Sequence, residues 1–222
     1  MRHLPVLVLA LLALTPLSMA ADPLGAIFEH IDAAARNFKG MTADISNTEH
    51  HALAPDDDDV STGTMKVLRV KPGLTRLLID FNGARSLSFD GREGKMYNRN
   101  TKIVDVKDLG DKQSLIDQFL LLGFGATSAE LQSTYDITYV GEETVGGQLV
   151  SHLKLVPKSP ETKRTLKQAE LWFAANGLVA QQKLLWAGGD YRLVAYSRLK
   201  LGPMPEKDLE LKLPKGVIVQ KH

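Results

Sequence analysis

The residues best equipped for chemistry in this 222-residue chain are its histidines, a run of aspartates and a few inward-spaced polar side chains. Past the first twenty residues the histidines are His30, His50, His51, His152 and His222. His50-His51 stands near Asp56-Asp57-Asp58-Asp59, a combination that could hold a cation. Neighbouring strand residues point to opposite faces, however, and the aspartates lack the spacing of a calcium loop, so a solvated polar loop is expected there. There is no G-x-S-x-G nucleophile elbow, no H-E-x-x-H and no phosphate-binding G-x-x-x-x-G-K-[ST]. Gly123-Phe124-Gly125 is a mere fragment of a dinucleotide fingerprint and follows a helical pattern, so it reads as a helix stop. Trp172, Trp186 and Tyr191 read as sheet-core or rim residues. A hydrolase is disfavoured for want of a nucleophile motif. The chain is read as a non-enzyme, with no metal and no cofactor.

A different feature carries the functional signal. In "SLIDQFLLLGFG", Ser114 to Gly125, only Asp117, Gln118 and Gly123 between Leu115 and Phe124 are not large and apolar. Phe119, Leu120, Leu121 and Leu122 are consecutive, so at about 100° per residue they cover every side of a helix. Such a helix must be enclosed, either by its own protein or by something the protein carries. A second oddity is Arg69. Alternation places it with Met65 and Val67, and on the next strand Leu77, Ile79 and Phe81 share one face. An arginine in an apolar row needs a partner, unless it reaches solvent at a strand end.

The elements that must position these residues follow from periodicity. Residues 1–20 have Arg2, an apolar run and Ser18-Met19-Ala20, which is a secretory signal peptide. No second hydrophobic span follows, so export is expected. Arg2 is the one charged side chain in that segment, so the remaining 26 basic and 26 acidic residues balance, which argues against nucleic acid as a partner. Without any cysteine there is neither a disulfide nor a site for N-terminal lipidation, so a core must hold the fold.

Asp22-Pro23 opens a helix whose apolar residues recur at a 3.6-residue period until Gly40. Then the period falls to two, and turn signals such as Asn82-Gly83, Asp90-Gly91 and Asn176-Gly177 recur along an antiparallel meander. Residues 109–133 interrupt it with the apolar stretch and a short helix at Ser128–Ser133. Pro157–Thr165 reads as an exposed loop. The expectation is an α+β fold of about eleven strands in one domain, 21–222, as a curved sheet wrapped around helices.

With that organisation, the sequence resembles the periplasmic outer-membrane lipoprotein carrier family, the LolA-like proteins. The resemblance rests on "FKGMTADI", "GTMKVLRVKPGLTR", "SLSFDGREGKMYN", "AANGLVAQQKLLWAGGDYRLVAYSRLKLG" and "LELKLPKGV", in that order along nearly the whole chain after the signal. It implies a half-open antiparallel barrel, covered by an N-terminal helix and a helical lid within 109–133, around an apolar cavity for acyl chains. Wall residues would be Met65, Val67, Leu77, Ile79, Phe81, Leu87 and Phe89. Lid residues would be Leu115, Ile116, Phe119, Leu120, Leu122 and Phe124. The resemblance also implies an arginine that latches the lid. Counting forward from Gly63 places it at Arg69 and counting back from Pro72 places it at Lys71, with Arg69 preferred because guanidinium can reach several carbonyls.

The implied function is that of a soluble periplasmic monomer. It would take lipoprotein acyl chains from an inner-membrane transporter to an outer-membrane acceptor. A carrier or sensor of another lipid or amphiphile remains the alternative.

Overall fold

The computed structural model describes residues 22–71, 74–110 and 122–222. The expected signal peptide, the Pro72-Gly73 turn and the lid positions Leu115, Ile116, Phe119 and Leu120 lie outside them.

Helix α1 spans Pro23–Asn37. Its start is set by the Asp22 side chain, which accepts from the Leu24 N–H at 3.1 Å, and by proline at the first turn. Ile27, Ile31 and Ala35 form its buried stripe. After Phe38 the chain enters the strands β1 (Gly40–His51), β2 (Ala54–Lys71), β3 (Leu74–Phe81), β4 (Arg85–Asp90), β5 (Glu93–Asn98) and β6 (Ile103–Asp108). Helix α2 (Ser128–Thr134) leads into β7 (Tyr135–Val145) and β8 (Gln148–Pro157). A short α3 (Pro160–Thr165) precedes β9 (Leu166–Ala174), β10 (Val179–Trp186), β11 (Tyr191–Leu201) and β12 (Ile218–Lys221).

The twelve strands among the described residues form one sheet in the order β12-β6-β5-β4-β3-β2-β1-β11-β10-β9-β8-β7. Two meanders meet where β1 pairs with β11, and β7 and β12 are left as the two edges, so the sheet is an unclosed, curved barrel. The α+β half-barrel expected from the sequence is the fold observed. It has twelve strands rather than about eleven, and the last, β12, pairs parallel with β6, a contact across the chain with no local signature.

Two local expectations are corrected. Asp56 to Asp59 lie inside β2 rather than in a loop, because the β1–β2 ladder continues past the body of the sheet and pairs Glu49 with Asp59. The segment before Thr165 is partly helical, with the Ser159 hydroxyl accepting from Thr162 N–H and Pro160 in the first turn.

One face of the sheet is covered. The buried cluster on it joins Ile27 and Ile31 of α1, Leu131 of α2 and strand residues from Met41 to Val179. The helical cover is tied together by Asp32, whose carboxylate accepts from Ser128 N–H at 2.7 Å and Ser128 O–H at 2.8 Å. On the opposite face, the segment before β12 lays Leu211 and Val217 over Tyr97, Val104 and Val106.

Candidate functional site

Register brings the expected wall residues together. Met65 faces Ile79, which faces Leu87, and in the next row Val67 faces Leu77, which faces Phe89. Phe81 stands opposite Gly63. Met65, Val67, Leu77, Phe81 and Phe89 are buried in the covered cluster, and Ile79 and Leu87 pack against it half-buried.

Of the expected lid residues, Leu122 and Phe124 are described, at 2% and 1% exposure, in that same cluster. Phe124 meets Tyr196 edge-on with ring centroids 4.8 Å apart. The glycines flanking Phe124 allow this close seat. Gly123 has φ +90° and lies against Val179; Gly125 has φ +80°, and a Cβ there would come within 2.6 Å of Arg69 Nη2 and 2.7 Å of Phe38. Both conformations favour glycine.

Arg69 closes the seat. Its Nη2 donates to the Gly125 carbonyl at 2.6 Å, and its guanidinium sits 5.4 Å from the centre of the Phe38 ring. The Arg69 backbone N–H donates to Lys39 C=O at 2.9 Å, fixing the strand end beside α1. So this arginine is partnered rather than reaching for solvent. Lys71 is elsewhere: the β2–β3 register shifts between Arg69 and Lys71, the alternation breaks, and Lys71 is exposed.

Further along the same face the lining changes character. A cavity of about 160 Å³ is bounded by Ile45, Met65, Ile79, Phe81, Leu184, Val194 and Tyr196, with Asn47, Gln182 and Arg192 at its polar side. Asn47 and Gln182 are buried. The Tyr196 hydroxyl donates to Gln182 Oε1 at 3.1 Å, and Asn47 Nδ2 donates to Glu49 Oε1 and Ser61 Oγ, each at 3.3 Å. Glu49 also receives Arg85 at 2.9 Å and Arg192 at 3.0 Å. Burial pushes the Tyr196 phenol well above its ordinary value, so it stays neutral. Sequence reasoning missed these polar residues. The signal was present in β1, where Ala43, Ile45 and Asn47 share one parity and Asn47 interrupts an apolar row.

His50, His51 and His152 are paired with carboxylates. His50 contacts Asp58 at 2.6 Å and stacks on Tyr191, and His51 contacts Asp59 at 3.3 Å on the other face. His152 lies between Glu143 at 2.7 Å and Glu170 at 2.8 Å and stacks on Trp172. Among the described residues no group of three or more His, Cys, Asp or Glu could hold a metal ion.

Among the described residues, the apolar face of this open barrel is covered in part by Leu122 and Phe124, with Arg69 bonded to the Gly125 carbonyl beside them. No family model matches the chain. It is 25% identical to an outer-membrane lipoprotein carrier protein of Pseudomonas fluorescens, over 99% of both chains. Among solved structures it is similar to an uncharacterized conserved protein of Thermus thermophilus, with TM-score 0.53, 13% identity and coverage of 87% of this chain and 98% of that one. It is similar in fold to MucB as well, with TM-score 0.51 and 18% identity, covering 87% of this chain and 64% of that one. In sequence the chain is thus similar over its length to a protein named as a lipoprotein carrier, and in fold to these two solved structures.

Proposed function

We propose that this chain is the soluble shuttle of a lipoprotein-sorting route in the periplasm. Residues 1–20 would direct export and be removed, and 21–222 would act as one monomeric domain with a lid at 109–133. The interior would receive lipoprotein acyl chains from an inner-membrane transporter and surrender them to an outer-membrane acceptor. The observation that carries this reading is the bond from Arg69 to the Gly125 carbonyl, which holds Leu122 and Phe124 over the apolar wall. The name of the full-length relative supports it.

The energies suit a carrier. Self-burial of Leu122 and Phe124 with the Arg69 bond is worth on the order of 6–8 kcal/mol. Burying one chain of about sixteen carbons is worth roughly 12 kcal/mol. Cargo can therefore displace the cover, but the cover subtracts from its affinity, which permits hand-off. A cavity of about 160 Å³ is of the size that admits a benzene-sized group, so a full acyl chain requires Leu122 and Phe124 to withdraw.

The test is incubation of the mature protein with inner-membrane vesicles that hold lipoproteins and their releasing transporter. Lipoprotein should appear in the soluble fraction bound to the chain. Failure of any to appear, with a different lipid co-purifying by mass spectrometry, would move the function to another amphiphile.

A further inference from the structure

The half of the interior nearest Phe124 is apolar, but the covered face is not uniform along β1, β10 and β11. Ile45 pairs with Tyr196 in one row. In the next, Asn47 pairs with Val194, and Val194 with Gln182. In the third, Glu49 pairs with Arg192, and Arg192 with Leu184. Successive rows on one face are about 6.6 Å apart. Hydrocarbon lining thus gives way to two carboxamides and then to charge, over a distance of about 13 Å. That is the polarity profile of an acyl chain, its carbonyl linkage and its polar head.

The carboxamides are held in a defined orientation. Asn47 Nδ2 is committed to Glu49 and Ser61, which leaves Asn47 Oδ1 as the end without a donor among the described residues. Gln182 Oε1 is committed to the Tyr196 hydroxyl, which leaves Gln182 Nε2 with no acceptor there. Both residues border the cavity. A free acceptor and a free donor flanking Val194 match the N–H and the C=O of a secondary amide.

We infer that the Asn47–Gln182 row is a linkage-reading subsite, which binds the carbonyl of an amide-linked acyl chain with its tail toward Phe124 and its head toward Glu49, Arg85 and Arg192. The inference rests on the carrier reading and deepens it, because it assigns the cargo an orientation and a linkage chemistry. Glu49 receives both Arg85 and Arg192, which leaves the group one positive charge in excess, so an anionic head is the competing occupant and palmitate its probe.

Three ligands of matched length test it by displacing an apolar fluorescent dye from the interior: N-(2-hydroxyethyl)palmitamide, its ether analogue 2-(hexadecyloxy)ethanol, and palmitate. The amide should bind about tenfold tighter than the ether, as two net-favourable neutral hydrogen bonds allow. Gln182→Met and Asn47→Leu should each bring that ratio to about threefold or less while the ether still displaces the dye. Equal binding of amide and ether by the native chain would overturn the subsite, without any need for a variant. So would a tenfold ratio that survives both substitutions, or a preference for palmitate abolished by Arg192→Met. If none of the three displaces the dye, the carrier reading itself fails and the subsite with it.

Discussion

Arg69 is a strong charge at the edge of an apolar surface, with its guanidinium held by a carbonyl and an aromatic ring rather than by a carboxylate. A carbonyl partner can be released without stranding a second buried charge, which suits a bond that must open. Arg69→Leu removes the donor and adds apolar surface, so the variant should accept lipoprotein and retain it. Delivery to outer-membrane vesicles is expected to drop at least tenfold, while Lys71→Leu delivers normally because that side chain is exposed beyond the register break. The opposite pattern would move the latch to Lys71. Gly125→Ala tests the same bond from the other side, since its Cβ would displace Arg69 Nη2 and Phe38. It should imitate the latch-open state by binding an apolar dye even when empty. A separate residue-scale expectation concerns Tyr135, whose hydroxyl is buried without a hydrogen-bond partner among the described residues. An unpaired buried hydroxyl costs about 1–3 kcal/mol, so Tyr135→Phe should stabilise the protein by about 1 kcal/mol in urea unfolding. A loss of stability there would mean that the hydroxyl has a partner after all.

At the scale of elements, the β7–β8 hairpin and β9 carry a titratable joint on the face away from the interior. The Trp172 indole N–H donates to Glu143 at 2.8 Å, and with His152 behind it this holds the Glu143 carboxyl below its ordinary value near 4.5, against a smaller upward push from desolvation. A carboxylate with a lowered folded-state pKa adds stability that is complete above its unfolded value and is lost as pH falls through the folded one. The Trp172 emission, read in a Trp186→Phe background, should therefore show a transition below about pH 4.5 that Glu143→Gln removes. Persistence of that transition in Glu143→Gln would contradict the pairing.

Such joints were hardly legible in the sequence, whereas the meander was. Turn pairs such as Asn82-Gly83 and Asp90-Gly91, with period-two alternation between them, are local signals, and the structure has both turns. The aspartates of β2 misled because aspartate disfavours strands, yet here cross-strand contacts to His50 and His51 support the ladder. The parallel β12 contact and the Asn47–Gln182 row depend on pairings between distant segments, which no local pattern encodes. The wall was readable by parity alone, and Arg69 was readable as an anomaly within it.

For the whole molecule, Leu122 and Phe124 occupy the covered face, so on the carrier reading the chain supplies its own guest. With no cysteine in its sequence, nothing covalent reinforces the sheet, and the covered cluster links both meanders to α1, α2 and the Leu122–Phe124 segment. Withdrawing that segment exposes interior from β2 to β10, so occupancy should be coupled to global stability and not just to local order. A ligand at one hundred times its Kd stabilises the folded state by about 2.7 kcal/mol, and for a domain of this size each kcal/mol moves Tm by roughly 2–4 °C. Saturating the native chain with an acylated ligand should thus raise Tm by about 5–10 °C. Arg69→Leu should start lower when empty and gain more on loading, because its cover competes less with the guest. If Arg69→Leu starts no lower than the native chain and gains no more on loading, the cover does not compete with the guest, and the exchange between cover and cargo is not how this fold holds it.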